Sequence, residues 1–165
     1  MVNIVVVSHS AKLADGVAEL AAQMIQNGCR LAVAAGVDDP DHPIGTDAIK
    51  VMQAIEEVFD PSGVLIMMDL GSALLSAETA LELLDPEMSA HVKACSAPLV
   101  EGTLAAVVAA SAGASLEAVE REAQSALQAK KAQLGEQEPT HAPAPNQAAS
   151  LSCDDQGVNW NVLNN

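Results

Sequence analysis

Short, uninterrupted apolar runs alternate along the chain with longer segments whose apolar residues recur every three or four positions. Residues 2–7, 31–37 and 64–68 are dominated by Val, Ile, Leu, Met and Ala, as strands covered by helices on both faces should be. A weaker run covers 91–96. Residues 12–27, 47–59 and 72–84 carry helical spacing, through Leu13, Val17, Leu20 and Met24 in the first and Leu74, Ala77, Leu81 and Leu84 in the third. The punctuation agrees: Asn27-Gly28 closes the first helix, Asp60-Pro61-Ser62-Gly63 makes a turn, and Asp85-Pro86 ends the third helix. Two more helical stretches, 99–112 and 115–134, follow Pro98 on either side of Ala112-Gly113-Ala114. Strand and helix in this rhythm predict right-handed βαβ units. The expected fold is α/β, an open, mainly parallel sheet of about four strands with helices on both faces.

That pattern ends near Gly135, so residues 1–135 are expected to form one domain. From 136 to 147 the chain is rich in Pro, Ala and Gln with no apolar period, and the polar remainder to Asn165 is too short for a core of its own. Residues 136–165 are therefore expected to be a disordered linker and tail. The whole chain has 165 residues, half of them hydrophobic, with 7 Lys and Arg against 22 Asp and Glu for a net charge of −15. Phe59 and Trp160 are its aromatics. Such a chain offers neither the basic surface that nucleic-acid phosphates need nor the faces on which bases stack, and it repels anionic lipid.

The longest uncharged stretch, 102–116, is 15 residues long, short of the roughly 20 apolar residues a membrane-spanning helix needs. The N-terminus lacks the cationic lead-in and long apolar stretch of a secretory signal, so a cytoplasmic protein is expected. Cys29, Cys95 and Cys153 are odd in number and widely spaced. They read as reduced thiols, in the core or incidental.

In an open parallel sheet, reacting groups collect at the carboxyl ends of the strands, where loops feed helix N-termini. This narrows the search to Ser8-His9-Ser10, the loop 36–46, and Asp69-Leu70-Gly71-Ser72-Ala73. His9 is the nucleophile candidate, because a neutral imidazole attacks phosphorus through one ring nitrogen when the other is held by an acceptor. Asp69 is placed to be that acceptor if the first and third strands are neighbours. A phosphoryl group in transfer also needs donors for its oxygens. Ser10 and Gly71-Ser72, at the starts of two helices, would supply them, and Gly45-Thr46, read as capping the second helix, would close the third side. A lone His after a strand is commonly structural and an Asp or Ser before a helix is commonly only a cap; the combination at one predicted edge is what favours chemistry.

Other groupings are weaker. Asp38, Asp39, Asp41 and His42 lie among Pro40 and Pro43 and read as solvated turn formers rather than a metal site. His91 reads as structural and His141 as an idle linker residue. No Walker-type loop and no G-x-G-x-x-G occurs, which argues against a self-contained nucleotide-binding kinase or dehydrogenase. No metal or cofactor is expected.

Together, Val5-Val6-Val7-Ser8-His9-Ser10, Ile44-Gly45-Thr46-Asp47, Met68-Asp69-Leu70-Gly71-Ser72-Ala73 and Ala97-Pro98-Leu99-Val100-Glu101-Gly102 resemble the DhaM family. Its members are phosphocarrier subunits of phosphoenolpyruvate-dependent dihydroxyacetone kinase, with an N-terminal domain of the mannose-class enzyme IIA fold. The likeness covers about residues 1–134. It implies that His9 takes a phosphoryl group from HPr, itself charged through enzyme I, and passes it to ADP held on DhaL, so that dihydroxyacetone on DhaK is phosphorylated. It also implies that Asp69 pairs with His9, that Gly45, Thr46, Gly71 and Ser72 line the pocket, and that the protein is a homodimer. The alternatives are a sugar-specific IIA domain serving a IIB protein and a non-catalytic regulatory domain.

Overall fold

The fold was obtained as a computed structural model, which describes residues 1–136. The expected linker and tail, with Cys153 and His141, lie outside the described residues from 137 on. Strands β1 (Asn3–Ser8), β2 (Leu31–Ala35), β3 (Val64–Met68) and β4 (Val92–Cys95) form one sheet in the order β2-β1-β3-β4, every neighbouring pair parallel. The expected α/β architecture is the one observed. All six residues of β1 are buried, and successive side chains point to opposite faces. Ile4 and Val6, with Leu65 and Met67, pack beneath α1 (Ala11–Ala22), α5 (Leu99–Ser111) and α6 (Leu116–Gln124). Val5 and Val7, with Ile66 and Met68, pack beneath α2 (Ala48–Val58) and α3 (Ser72–Leu83). None of the described helices is long and apolar enough to cross a membrane.

The elements differ from the sequence pattern where local polar groups intervene. The first helix stops at Ala22, and Asn27 and Gly28, both at positive φ, turn the chain into β2. Asp85-Pro86 does more than stop α3: the Asp85 side chain accepts from Glu87 N–H at 2.9 Å and opens the short α4 (Pro86–Ser89). The predicted helix 115–134 is two, α6 and α7 (Ala126–Leu134), because the Ser125 hydroxyl donates back to the Arg121 carbonyl at 2.8 Å and breaks the run. The buried faces only partly follow the predicted stripes, which supply Val17, Ala77 and Leu84. Helix α1 buries Ala14, Val17 and Ala21 while Leu13, Leu20 and Met24 are exposed, and α3 buries Ala73, Ala77 and Ala80 with Leu74 and Leu75 outside. The large strand side chains already fill the space between layers, so alanines let the helices approach.

Buried polar groups set the frame. Asn3 donates to the Val58 carbonyl at 2.7 Å and accepts from Arg30 N–H at 2.8 Å, tying the start of β1 to the end of α2 and the approach to β2. The fully buried Thr103 hydroxyl on α5 has no partner among the described residues. Thr103→Val removes that desolvated group at constant shape and is expected to stabilise the fold by about 1 kcal/mol. Circular dichroism melting checks this, and a lower midpoint would show that the hydroxyl is satisfied in solution.

Candidate functional site

Strands β1 and β3 are neighbours in register, Asn3 opposite Val64 and Val7 opposite Met68. The residues just beyond their ends, His9 and Asp69, therefore emerge side by side, as the sequence reading required. Asp69 is surrounded by donors. Its Oδ1 accepts from His9 Nδ1 at 2.9 Å and Leu70 N–H at 2.7 Å, and its Oδ2 accepts from the Ser8 hydroxyl and His9 N–H, each at 2.9 Å. Burial pushes the Asp69 carboxyl up, but the bonds from His9 N–H, Leu70 N–H, the His9 ring and Ser8 outweigh it and hold the group below the ordinary carboxylate range.

An ionised carboxylate only accepts, so the ring nitrogen facing it, Nδ1, carries the hydrogen. Nε2 then bears the lone pair. The Ser72 hydroxyl, 2.7 Å from Nε2, donates into it. The His9 side chain is 23% exposed against 11% for Asp69, so the carboxylate sits behind a ring that reaches the surface.

Helix α3 begins beside this nitrogen. Gly71 is its N-cap at φ 54°, a left-handed conformation that suits glycine, and open space lies where a side chain would begin. Among the described residues the N–H groups of Gly71 and Ser72 donate to no partner. They are the unpaired donors that a helix N-terminus offers to an anion.

The remaining sequence-predicted residues hold the frame. Ser10 caps α1, its hydroxyl accepting from Leu13 N–H at 3.2 Å while its own N–H goes to the Ser8 hydroxyl at 3.1 Å. Gly45 donates its N–H to the His9 carbonyl at 3.0 Å, which fastens the loop 36–46 against the site and commits that donor. Thr46 does not cap α2; Asp47 does, accepting from Ile49 N–H at 2.8 Å. The Thr46 hydroxyl is instead turned onto α3, at 3.1 Å from the Ser72 carbonyl, 3.2 Å from the Ser72 hydroxyl and 2.7 Å from the Ser76 hydroxyl.

Ser8 lies in a segment that the sequence singles out but without a role of its own, and Ser76 is not singled out. Ser8 has a signal, a hydroxyl residue directly after the apolar run 4–7; Ser76 has only its four-residue spacing from Ser72.

The loop acids are turn formers as read: Asp39 accepts from Asp41 and His42 N–H at 3.0 and 3.3 Å, and Asp38 pairs with Lys50 at 2.8 Å. Among the described residues no His, Cys, Asp and Glu groups cluster to hold a metal. His91 precedes β4 and is exposed, and its carbonyl accepts from Val64 N–H at 2.9 Å. Cys29 and Cys95 are buried and free, and burial pushes both thiols up, which keeps them protonated.

Comparison with known proteins agrees with this geometry. The family profile EIIA-man, the PTS system fructose IIA component, matches residues 3–120. The phosphoryl donor subunit DhaM of PEP-dependent dihydroxyacetone kinase from Klebsiella michiganensis is 63% identical over 144 residues, 86% of this chain and 30% of that protein. The corresponding subunit of dihydroxyacetone kinase 2 from Listeria innocua is 38% identical over 122 residues, 74% of this chain and 96% of that protein. The crystal structure of a protein of unknown function, EF1359, superposes with a TM-score of 0.63 at 34% identity, covering 74% of this chain and 92% of that one. The chain thus spans less than a third of the length of the Klebsiella relative but nearly all of the Listeria one. On the profile match and the near end-to-end likeness to the Listeria subunit, the chain belongs to the EIIA-man family, with DhaM phosphoryl donor subunits among its relatives.

Proposed function

We propose that the protein is a phosphohistidine carrier of a phosphoenolpyruvate-dependent dihydroxyacetone kinase. The observation that carries this reading is the His9 ring clamped through Nδ1 to Asp69, which leaves Nε2 as the nucleophile at the surface. In the first step the Nε2 lone pair attacks the phosphorus of a phosphohistidine on HPr, the new N–P bond forms, and the donor's N–P bond breaks. The His9 ring becomes cationic while keeping its Nδ1 hydrogen, and the Asp69 charge opposite steadies it. The Ser72 hydroxyl and the Gly71 and Ser72 N–H groups receive the charge spread over the phosphoryl oxygens, while Ser10, Gly45 and Thr46 shape the site around them.

In the second step an oxygen of the ADP β-phosphate, held on DhaL, attacks the same phosphorus and the Nε2–P bond breaks. The ATP so formed phosphorylates dihydroxyacetone on DhaK. Ile44 and Leu70, chain neighbours of Gly45 and Asp69, are 67% and 70% exposed, apolar area suited to covering by a protein partner. The reading includes a cytoplasmic homodimer of a domain spanning 1–135.

Incubation with enzyme I, HPr and labelled phosphoenolpyruvate tests it. The expected product is an acid-labile, base-stable label on this chain, which then moves to ATP when ADP-loaded DhaL is added. No label overturns the carrier reading in favour of a regulatory domain. Discharge by a IIB protein but not by DhaL overturns the acceptor.

A further inference from the structure

Beyond the groups that meet phosphorus, a line of hydroxyls is wired toward the same nitrogen, an inference that rests on His9 being the carrier. Ser76 lies one turn along α3 from Ser72, and Thr46 reaches both from the loop before α2, at 2.7 Å from Ser76 Oγ and 3.2 Å from Ser72 Oγ. Counting hydrogens gives the line a direction, because each hydroxyl has one to donate. Asp69 keeps the ring hydrogen on Nδ1, so the contact between Nε2 and Ser72 at 2.7 Å uses the serine hydrogen. Ser72 then has none left for Thr46. Thr46 must donate to Ser72, through its hydroxyl oxygen or its carbonyl at 3.1 Å, and the contact between Thr46 and Ser76 uses the hydrogen of Ser76. The hydrogens run from Ser76 to Thr46 to Ser72 to Nε2.

We propose that Ser76 is a positioning residue for phosphoryl transfer, which acts through Thr46 to keep the Ser72 hydroxyl donating toward whatever occupies Nε2. Before transfer that occupant is the nitrogen lone pair. As the Nε2–P bond forms and the donor's N–P bond breaks, the lone pair is consumed and the Ser72 hydrogen turns to a phosphoryl oxygen. No proton is gained or lost and no other hydroxyl reverses. Thr46 has one hydrogen, shared between the Ser72 hydroxyl oxygen and the Ser72 carbonyl, and this three-centre contact keeps the donor aimed through the exchange. Ser76 is half-buried on a helix face, where an isolated serine would be content with water.

The test uses the full chain with ring-15N histidine, labelled phosphoenolpyruvate, enzyme I and HPr. Ser76→Ala is expected to reach the wild-type extent of labelling about tenfold more slowly, the size of one well-placed hydrogen bond. In the unphosphorylated variant at alkaline pH, the His9 Nε2 resonance is expected downfield of wild type, as a nitrogen loses its donor. Ser76→Thr, which keeps the hydroxyl, is expected to restore rate and resonance together. If Ser76→Ala matches wild type in both, or slows transfer with the resonance unmoved and no rescue by Ser76→Thr, the positioning role is overturned while the carrier reading stands. If the wild-type chain takes no label, or His9→Gln keeps it, the carrier reading beneath the proposal falls instead.

Discussion

His9→Gln is expected to abolish transfer of label from phosphoenolpyruvate while leaving the sheet intact. Glutamine keeps a polar side chain of similar reach, but its amide nitrogen has given its lone pair to the carbonyl and cannot attack phosphorus. The main chain at position 9 would keep both of its ties, N–H to Asp69 and carbonyl from Gly45. The cost to folding is then limited to the ring's bonds to Asp69 and Ser72, about 2–3 kcal/mol together. Acid-labile label and a melting curve, measured on the same preparation, read the two consequences separately. Label that survives the substitution would transfer the chemistry to another imidazole, and the proposed mechanism would be wrong.

Asp69→Asn is expected to slow transfer by about 10²- to 10⁴-fold, in the range seen when the orienting carboxylate of a catalytic histidine is neutralised. An amide in that place offers one acceptor and one donor where the carboxylate offers two acceptors. With its NH2 toward the ring, Nδ1 must take the lone pair and Nε2 the hydrogen, so the exposed nitrogen is no longer nucleophilic. The fold suffers as well. Four donors converge on the carboxylate, from Ser8, His9 main chain, His9 ring and Leu70, and with the amide NH2 in place of Oδ1 the ring flips its hydrogen while Leu70 N–H loses its acceptor, which together cost about 1–2 kcal/mol.

The pH dependence follows from the direction of the shift. Asp69 is held lower in the folded chain than in the unfolded one, so its contribution is complete above the ordinary carboxylate range and is lost as pH falls through its lowered value. The melting points of wild type and Asp69→Asn are therefore expected to converge as the pH drops below about 4. A gap that persists unchanged in strong acid would show that the carboxylate charge is not what separates them.

The layer plan and the meeting of His9 with Asp69 were legible because both follow from the apolar strand runs and their order along the chain. Unbroken apolar runs specified buried parallel strands, and the adjacency of the first and third put His9 against Asp69. What was not legible depended on contacts between distant segments. Gly45-Thr46 resembled a cap, yet Asp47 had the better-placed carboxylate, and the freed Thr46 hydroxyl crossed to α3. Ser76 sits at a spacing any solvated helix face could show, and only the position of the loop 36–46 gives it a partner. The stripes of α1 and α3 marked helices and part of their inner faces, Val17, Ala77 and Leu84, but Leu13, Leu20, Met24 and Leu74 lie outside, since the strand side chains leave mainly alanine-sized space beneath these helices.

Stability and turnover commonly pull a reactive residue in opposite directions. On the proposed mechanism they pull together at position 69, because the groups that keep this carboxylate charged are the same ones that knit two strand ends to each other. A selection for heat resistance run in the complete absence of phosphate would accordingly return aspartate there, and drift in a lineage that had abandoned the reaction would be slow to erase it.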